Sequence, residues 1–217
     1  MAFDAGGYIE DNYYEQIDSL GLDALREIGS IGLGNAATSL ASLLSRKIQM
    51  TQPDVSILGY NDAVYKLGGP EKIVVGVLTR VTGDINGLML YIQDLNFINM
   101  MLNNLLSEDI TDYDQLGEME MSALIEIGNI IISSYINSLT SLADISVKLS
   151  VPGVSTNMLG GIMTVPMIEF GYDTDKIMMI GGSLICDDQE IGGNLLLIPE
   201  MESLNKLFEK LGIKNGQ

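Results

Sequence analysis

The sequence predicts an α+β protein, internally duplicated, in which two long helices pack on antiparallel sheet and are related by an approximate two-fold axis. Three observations predict it. A shift of 99 residues lays Glu27-Ile28-Gly29 on Glu126-Ile127-Gly128, Leu40 on Leu139 and Pro53 on Pro152. A shift of 106 lays the run 85–92 on 191–198, and both runs lead into amphipathic helices. Helix, proline, hairpin and helix therefore match in the same order, which chance similarity of two helices does not produce. The third observation is the layout itself: helical periods followed by turn-linked strand patterns suit antiparallel sheet rather than a doubly wound fold.

The elements follow from the chain in order. Residues 1–18 read as an N-terminal extension, 19–107 as the first repeat and 114–217 as the second, the two sharing one compact body. Each repeat opens with a long helical pattern, 19–45 and 114–143, with Ser19 and Asp114 as N-caps and apolar residues returning every three or four positions. Segments 54–60, 73–81 and 85–92, then 162–170, 177–186 and 191–199, read as strands, with Gly83-Asp84 and Asp187-Asp188 as turn signals. Helices at 94–106 and 200–211 close the copies, the second of which carries seven extra residues between its first helix and its last hairpin. The glycines at 29, 32 and 34 lie inside a helical pattern and not after a strand, so they indicate close helix packing rather than a nucleotide loop.

Composition narrows the function. Eleven Lys and Arg against 29 Asp and Glu leave a net charge of -18, the wrong sign for neutralising nucleic-acid phosphates. Histidine is absent and Cys186 is the only cysteine, which excludes a disulfide framework, the usual zinc sites and a His-based triad. Carboxylates, amides and hydroxyls must carry any chemistry. The acidic start of the chain lacks a signal-peptide pattern and no apolar run approaches the ~18 residues of a span, so a cytoplasmic location without membrane insertion is expected. The 13 methionines are expected mostly in the core, Cys186 as a buried thiol, and 109–120 as a solvated linker.

On the first helix of the second copy, Ser122, Glu126, Asn129 and Ser133 are spaced four, three and four apart and share one face. The positions between them are almost all apolar, and no lysine or arginine occurs from Glu118 to Ala143, unlike an ordinary solvated face.

Ser122-x3-Glu126-x2-Asn129-x22-Pro152 resembles the signature of the CheC, CheX and FliY family of chemotaxis phosphatases. Copy one reads Asp23-x3-Glu27-x2-Ser30-x22-Pro53, with serine in place of the asparagine. The Gly-Asn-Ala-Ala-Thr run at 34–38 and Val-x-Gly-Asp at 81–84 extend the resemblance over nearly the whole chain. Two signatures in one chain look like the CheC branch; a FliY-type chain would be expected to carry a further C-terminal domain, for which 211–217 leave no room.

The resemblance implies a CheC-like fold and a hydrolase acting on the aspartyl phosphate of a CheY-type response regulator. It implies that Glu126 pairs with the regulator's active-site lysine and that Asn129 places the attacking water. Magnesium is expected in the partner regulator and no metal in this chain. Ser122 and Pro152, like Asp23 and Pro53, are expected as helix-face neighbours or site wall. Ser30 cannot reach as far as an asparagine amide, so Glu27 and Ser30 are expected to form a weak or degenerate first site, one that docks the regulator or only packs against copy two. The family's docking element for the receptor deamidase CheD would lie near 153–163, where Asn157 stands in place of an acidic residue and Gly160-Gly161 weaken helix propensity. The alternative to an enzyme is a non-catalytic adaptor binding phosphorylated CheY, CheD or both.

Overall fold

Twenty-six residues from Ser19 to Leu44 form α1, and another 26 from Glu118 to Ala143 form α4. Each presents a recurring apolar face: Leu25, Ile28, Ala36, Leu40 and Leu44 in α1, Leu124, Ile127, Ile131, Tyr135 and Leu139 in α4 are all buried in one core. Both helices stop at a left-handed residue, Ser45 (φ 51°) and Asp144 (φ 50°), which are equivalent under the shift of 99. The computed structural model describes residues 19–170, 176–186 and 189–212.

After α1 come β1 (Ile48–Met50), β2 (Asp54–Gly59), α2 (Tyr60–Lys66), β3 (Ile73–Gly83), β4 (Gly87–Gln93) and α3 (Leu95–Leu106). After α4 come β5 (Val147–Leu149), β6 (Gly153–Met158), α5 (Leu159–Phe170), β7 (Lys176–Cys186), β8 (Gln189–Pro199) and α6 (Met201–Lys210). The eight strands form one antiparallel sheet in the order β1-β7-β8-β4-β3-β5, with β2 also on β7 and β6 also on β3. The copies exchange strands: β1 and β2 of the first pair with β7 of the second, while β5 and β6 of the second pair with β3 of the first. At the centre β4 pairs with β8, and Leu90 faces Leu196, its own counterpart under the shift of 106. The approximate two-fold axis runs between these leucines.

Helices cover both faces of the sheet. One core holds residues of α1, α3, α4 and α6; the other holds Ala63 and Val64 of α2 and Leu159, Ile162 and Met163 of α5, against Val74, Leu90, Ile92, Met179 and Leu196. Burial on both faces explains why every residue of β4 is buried and why it reads as a continuous apolar run.

Three expectations are corrected. The segment 162–170 is not a strand but most of α5; its buried residues Leu159, Ile162, Met163 and Pro166 fall at helical spacing, and packing on the sheet overrides Gly160, Gly161 and Pro166. Asp114 does not cap the second long helix. It lies in a 3-10 turn (Tyr113–Gln115) capped by Asp112, and α4 starts after Gly117, whose N–H donates to Glu120 Oε2 at 2.8 Å. Ser19 is the first helical residue rather than a residue before the helix. The turn Asp187-Asp188 lies outside the described residues. By length and composition α4 would pass for a membrane span, although the sequence reading found no such run; half of that stretch is buried, as in a core helix.

Methionines 89, 100, 101, 163, 178 and 179 are buried, as is Cys186, whereas Met119 and Met158 are exposed. The Val-x-Gly-Asp segment is a structural joint. A Cβ on Gly83 (φ 134°) would lie 2.5 Å from the Ser146 carbonyl oxygen, and Asp84 accepts from Ser146 N–H at 2.8 Å.

Candidate functional site

Each signature lies on the first half of a long helix that is pressed onto a strand of the other copy. A Cβ placed on Gly128 would lie 2.8 Å from Val77 Cβ on β3; one on Gly29 would lie 3.3 Å from Pro53 Cγ and 3.5 Å from Ile180 on β7. A Cβ at Gly29 would be tight but not excluded; at Gly128 only glycine permits this approach. It draws the next residue, Asn129 or Ser30, into a half-buried position, while Glu126 and Glu27, pointing away from the sheet, stay exposed.

In copy two the polar stripe is spatially continuous, as the spacing predicts. Ser122 is exposed and its hydroxyl donates to the Glu118 carbonyl at 2.7 Å, so it is occupied by its own helix. Ser133 likewise donates to the Asn129 carbonyl at 2.6 Å. The Asn129 carboxamide and the Glu126 carboxylate make no hydrogen bond or ion pair with any described residue, and both remain available to a partner. Pro152 is half-buried in the short connection between β5 and β6, next to Val151, which is 89% exposed.

Copy one differs in more than Ser30. Asp23, one turn before Glu27 on the same face, is held by Arg26 at 2.9 Å. The counterpart of Arg26 in copy two is the apolar Ile125. Pro53 is buried against Gly29, more enclosed than Pro152.

The two signatures do not merge into one composite site. The helices meet where Gly32 lies against Tyr135 and where Asn35 Nδ2 donates to Ser138 Oγ at 3.4 Å, C-terminal to the signature residues of both. Among the described residues no hydrogen bond or ion pair joins a signature residue of one copy to one of the other. Asn157 is the penultimate residue of β6, exposed, with its Oδ1 accepting from Met158 N–H at 2.8 Å, and belongs to a different surface beside α5.

One residue at the site escaped the sequence reading. Gln93, the last residue of β4, is fully buried and its side-chain N–H donates to the Leu124 carbonyl of α4 at 3.2 Å. A lone amide closing the apolar run Gly87–Gln93 is the signal that marks it.

The chemistry open to the copy-two arrangement is that of a carboxamide and a carboxylate one helical turn apart. The amide can accept from water and donate to a second oxygen without being a strong base, and the carboxylate can engage a cation of a docking protein.

Comparison with known proteins agrees with the duplicated layout. The CheC-like family matches residues 20–57 and 119–156, one stretch in each copy. The CheY-P phosphatase CheC of Bacillus subtilis (strain 168) is 32% identical over 195 residues, which cover 88% of this chain and 93% of that protein. The flagellar motor switch phosphatase FliY of the same organism is 25% identical over 153 residues, 69% of this chain and 40% of that protein. The crystal structure of Thermotoga maritima FliY has the same fold, with a TM-score of 0.71 at 21% identity, covering 90% of this chain and 97% of that one. With its two signature helices and its likeness to CheC along nearly its full length, the chain belongs to the CheC-like family.

Proposed function

We propose that the protein is a chemotaxis phosphatase that hydrolyses the aspartyl phosphate of a CheY-type response regulator, with Glu126 and Asn129 of the second copy as its main active site. The observation that carries the site assignment is the Asn129 carboxamide: half-buried, without a partner among the described residues, and one turn from exposed Glu126. The likeness to a CheY-P phosphatase supports the reaction class.

An acyl phosphate is already activated, so the task is to hold water in line with phosphorus. Asn129 accepts from that water and orients it. As the water oxygen bonds to phosphorus, the bond to the regulator's aspartate breaks, giving inorganic phosphate and a free carboxylate. Glu126 anchors the helix by pairing with a lysine of the regulator, and exposed Val151 offers apolar surface at the rim. The magnesium of the reaction belongs to the regulator. This partner places the protein in the cytoplasm.

In copy one, Ser30 is too short to hold the same water. The first site is therefore weak, which leaves an adaptor role for it. CheD is a further partner, through β6 and the start of α5.

The test is the decay of phosphorylated regulator with wild type, Asn129→Ala and Ser30→Asn, together with regulator binding. Wild type accelerates decay, Asn129→Ala loses about 100-fold while still binding, and Ser30→Asn adds activity. Binding without acceleration by wild type would leave only the adaptor reading.

A further inference from the structure

We infer that Gln93 is a positioning residue that sets the height and rotation of the α4 turn carrying Glu126 and Asn129. The inference rests on the reading of those two residues as the active site.

Gln93 is fully buried where β4 ends under α4. Its Nε2 donates to the Leu124 carbonyl at 3.2 Å, and its Oε1 has no partner. A buried, unpartnered amide oxygen opposes folding, and an apolar side chain of the same length would avoid that penalty. What the amide supplies is direction. The Leu124 carbonyl lies in the middle of a helix, where it also accepts from the N–H four residues on, that of Gly128; a carbonyl has two lone pairs and can serve both. The added bond ties one point of the helix backbone, midway between Ser122 and Glu126, to the end of a central strand. Gly128, pressed on Val77, fixes a second point one turn later. Between them the azimuth of Glu126 and Asn129 is fixed relative to the sheet. Packing of smooth aliphatic side chains alone would leave the helix free to roll or slide by fractions of an ångström, and positioning of water is sensitive to displacements of that size.

The device occurs in one copy only. The counterpart of Gln93 is Pro199 by the shift that aligns β4 with β8, or Leu197 by pairing with the neighbouring strand, since Val75 faces Gln93 and Met178 faces Leu197. Neither side chain can donate to Leu25, the counterpart of Leu124. The helix with the intact Glu and Asn is the one that is clamped.

The experiment uses the full chain and its phosphorylated regulator. Gln93→Met keeps length and removes the donor; it should slow catalysed decay about tenfold, leave affinity for beryllofluoride-activated regulator within about twofold, and not lower the melting temperature. Gln93→Glu donates to Leu124 only as the neutral acid, so its rate relative to wild type should rise as pH falls from about 8 to about 6. Thr79→Val, which removes the other buried side-chain polar atom without a partner among the described residues, should behave as wild type. A Gln93→Met rate equal to wild type would overturn the inference, as would parallel losses of rate, binding and melting temperature. If Gln93→Met does not fold, a Gln93→Glu to wild-type ratio independent of pH overturns it. If wild type itself fails to speed decay, the phosphatase reading falls and takes the positioning role with it, a result distinct from failure of Gln93 alone.

Discussion

Gly128 lies directly against Val77: a Cβ on the glycine would come within 2.9 Å or less of the valine Cβ and both its methyls. No rotamer change relieves this, because the valine Cβ is fixed to the β3 backbone and its two methyls flank it. Gly128→Ala should push α4 off the sheet at a cost of about 1–3 kcal/mol, lowering the melting temperature by several degrees. Gly34, also within a helix, has nothing within 4 Å of a built Cβ. Gly34→Ala should instead stabilise by about 0.5–1 kcal/mol through helix propensity. Thermal melts of the two variants give the check, and shifts of the same sign would contradict the contact.

Glu126 and Glu27 are both exposed, but one turn earlier on the same face stands Ser122 in one case and Asp23, paired with Arg26, in the other. Glu126→Ala should weaken regulator binding about tenfold, the range expected for losing one charge-assisted contact. Glu27→Ala should change it about twofold or less, since copy one, with Ser30 in place of the asparagine, is the weaker site. Calorimetric titration of both variants measures the difference.

Asp84 joins the copies through the backbone N–H of Ser146 and through Lys206 at 3.3 Å. The Ser146 hydrogen bond, then Lys206, holds its carboxyl below the ordinary value. A lowered folded pKa means that the stabilisation is fully present above the unfolded value, about 4, and is lost as pH falls through the lower folded value. The melting-temperature gap between wild type and Asp84→Asn should therefore be largest near neutral pH and close under acid. A gap that widens on acidification would refute the assignment.

Asn157 accepts from the Met158 N–H, which a carboxylate can do equally well. Asn157→Asp should leave the melting temperature unchanged within about a degree and strengthen binding to CheD, if β6 and the first turn of α5 are the docking surface. Co-purification and titration with CheD decide this, unchanged affinity counting against that surface.

Much of the architecture could be read before folding was considered. The duplication, both long helices, the strands β2, β3, β4, β7 and β8 and the closing helices follow from self-similarity and periodicity, as do the two signature stripes. Three short strands and the helices α2 and α5 could not be read the same way. The two strands of three residues, β1 and β5, carry too little pattern to register, β6 is exposed at all but one position and shows no apolar alternation, α2 has only seven residues, and α5 contains two glycines and a proline that argue against the helix its burial spacing supports.

The sequence by itself determined that there are two related units, that only the second has the complete set of Glu and Asn, and that no histidine chemistry and no disulfide framework are available. Only the tertiary structure decided how the units combine. Alternation along a strand says which face is buried but not which strand lies beside it, so the exchange that puts β2 on β7 and β6 on β3 is fixed by non-local burial. The same holds for Gln93: its chain position gives no hint of Leu124, 31 residues away, until the sheet brings the end of β4 beneath α4.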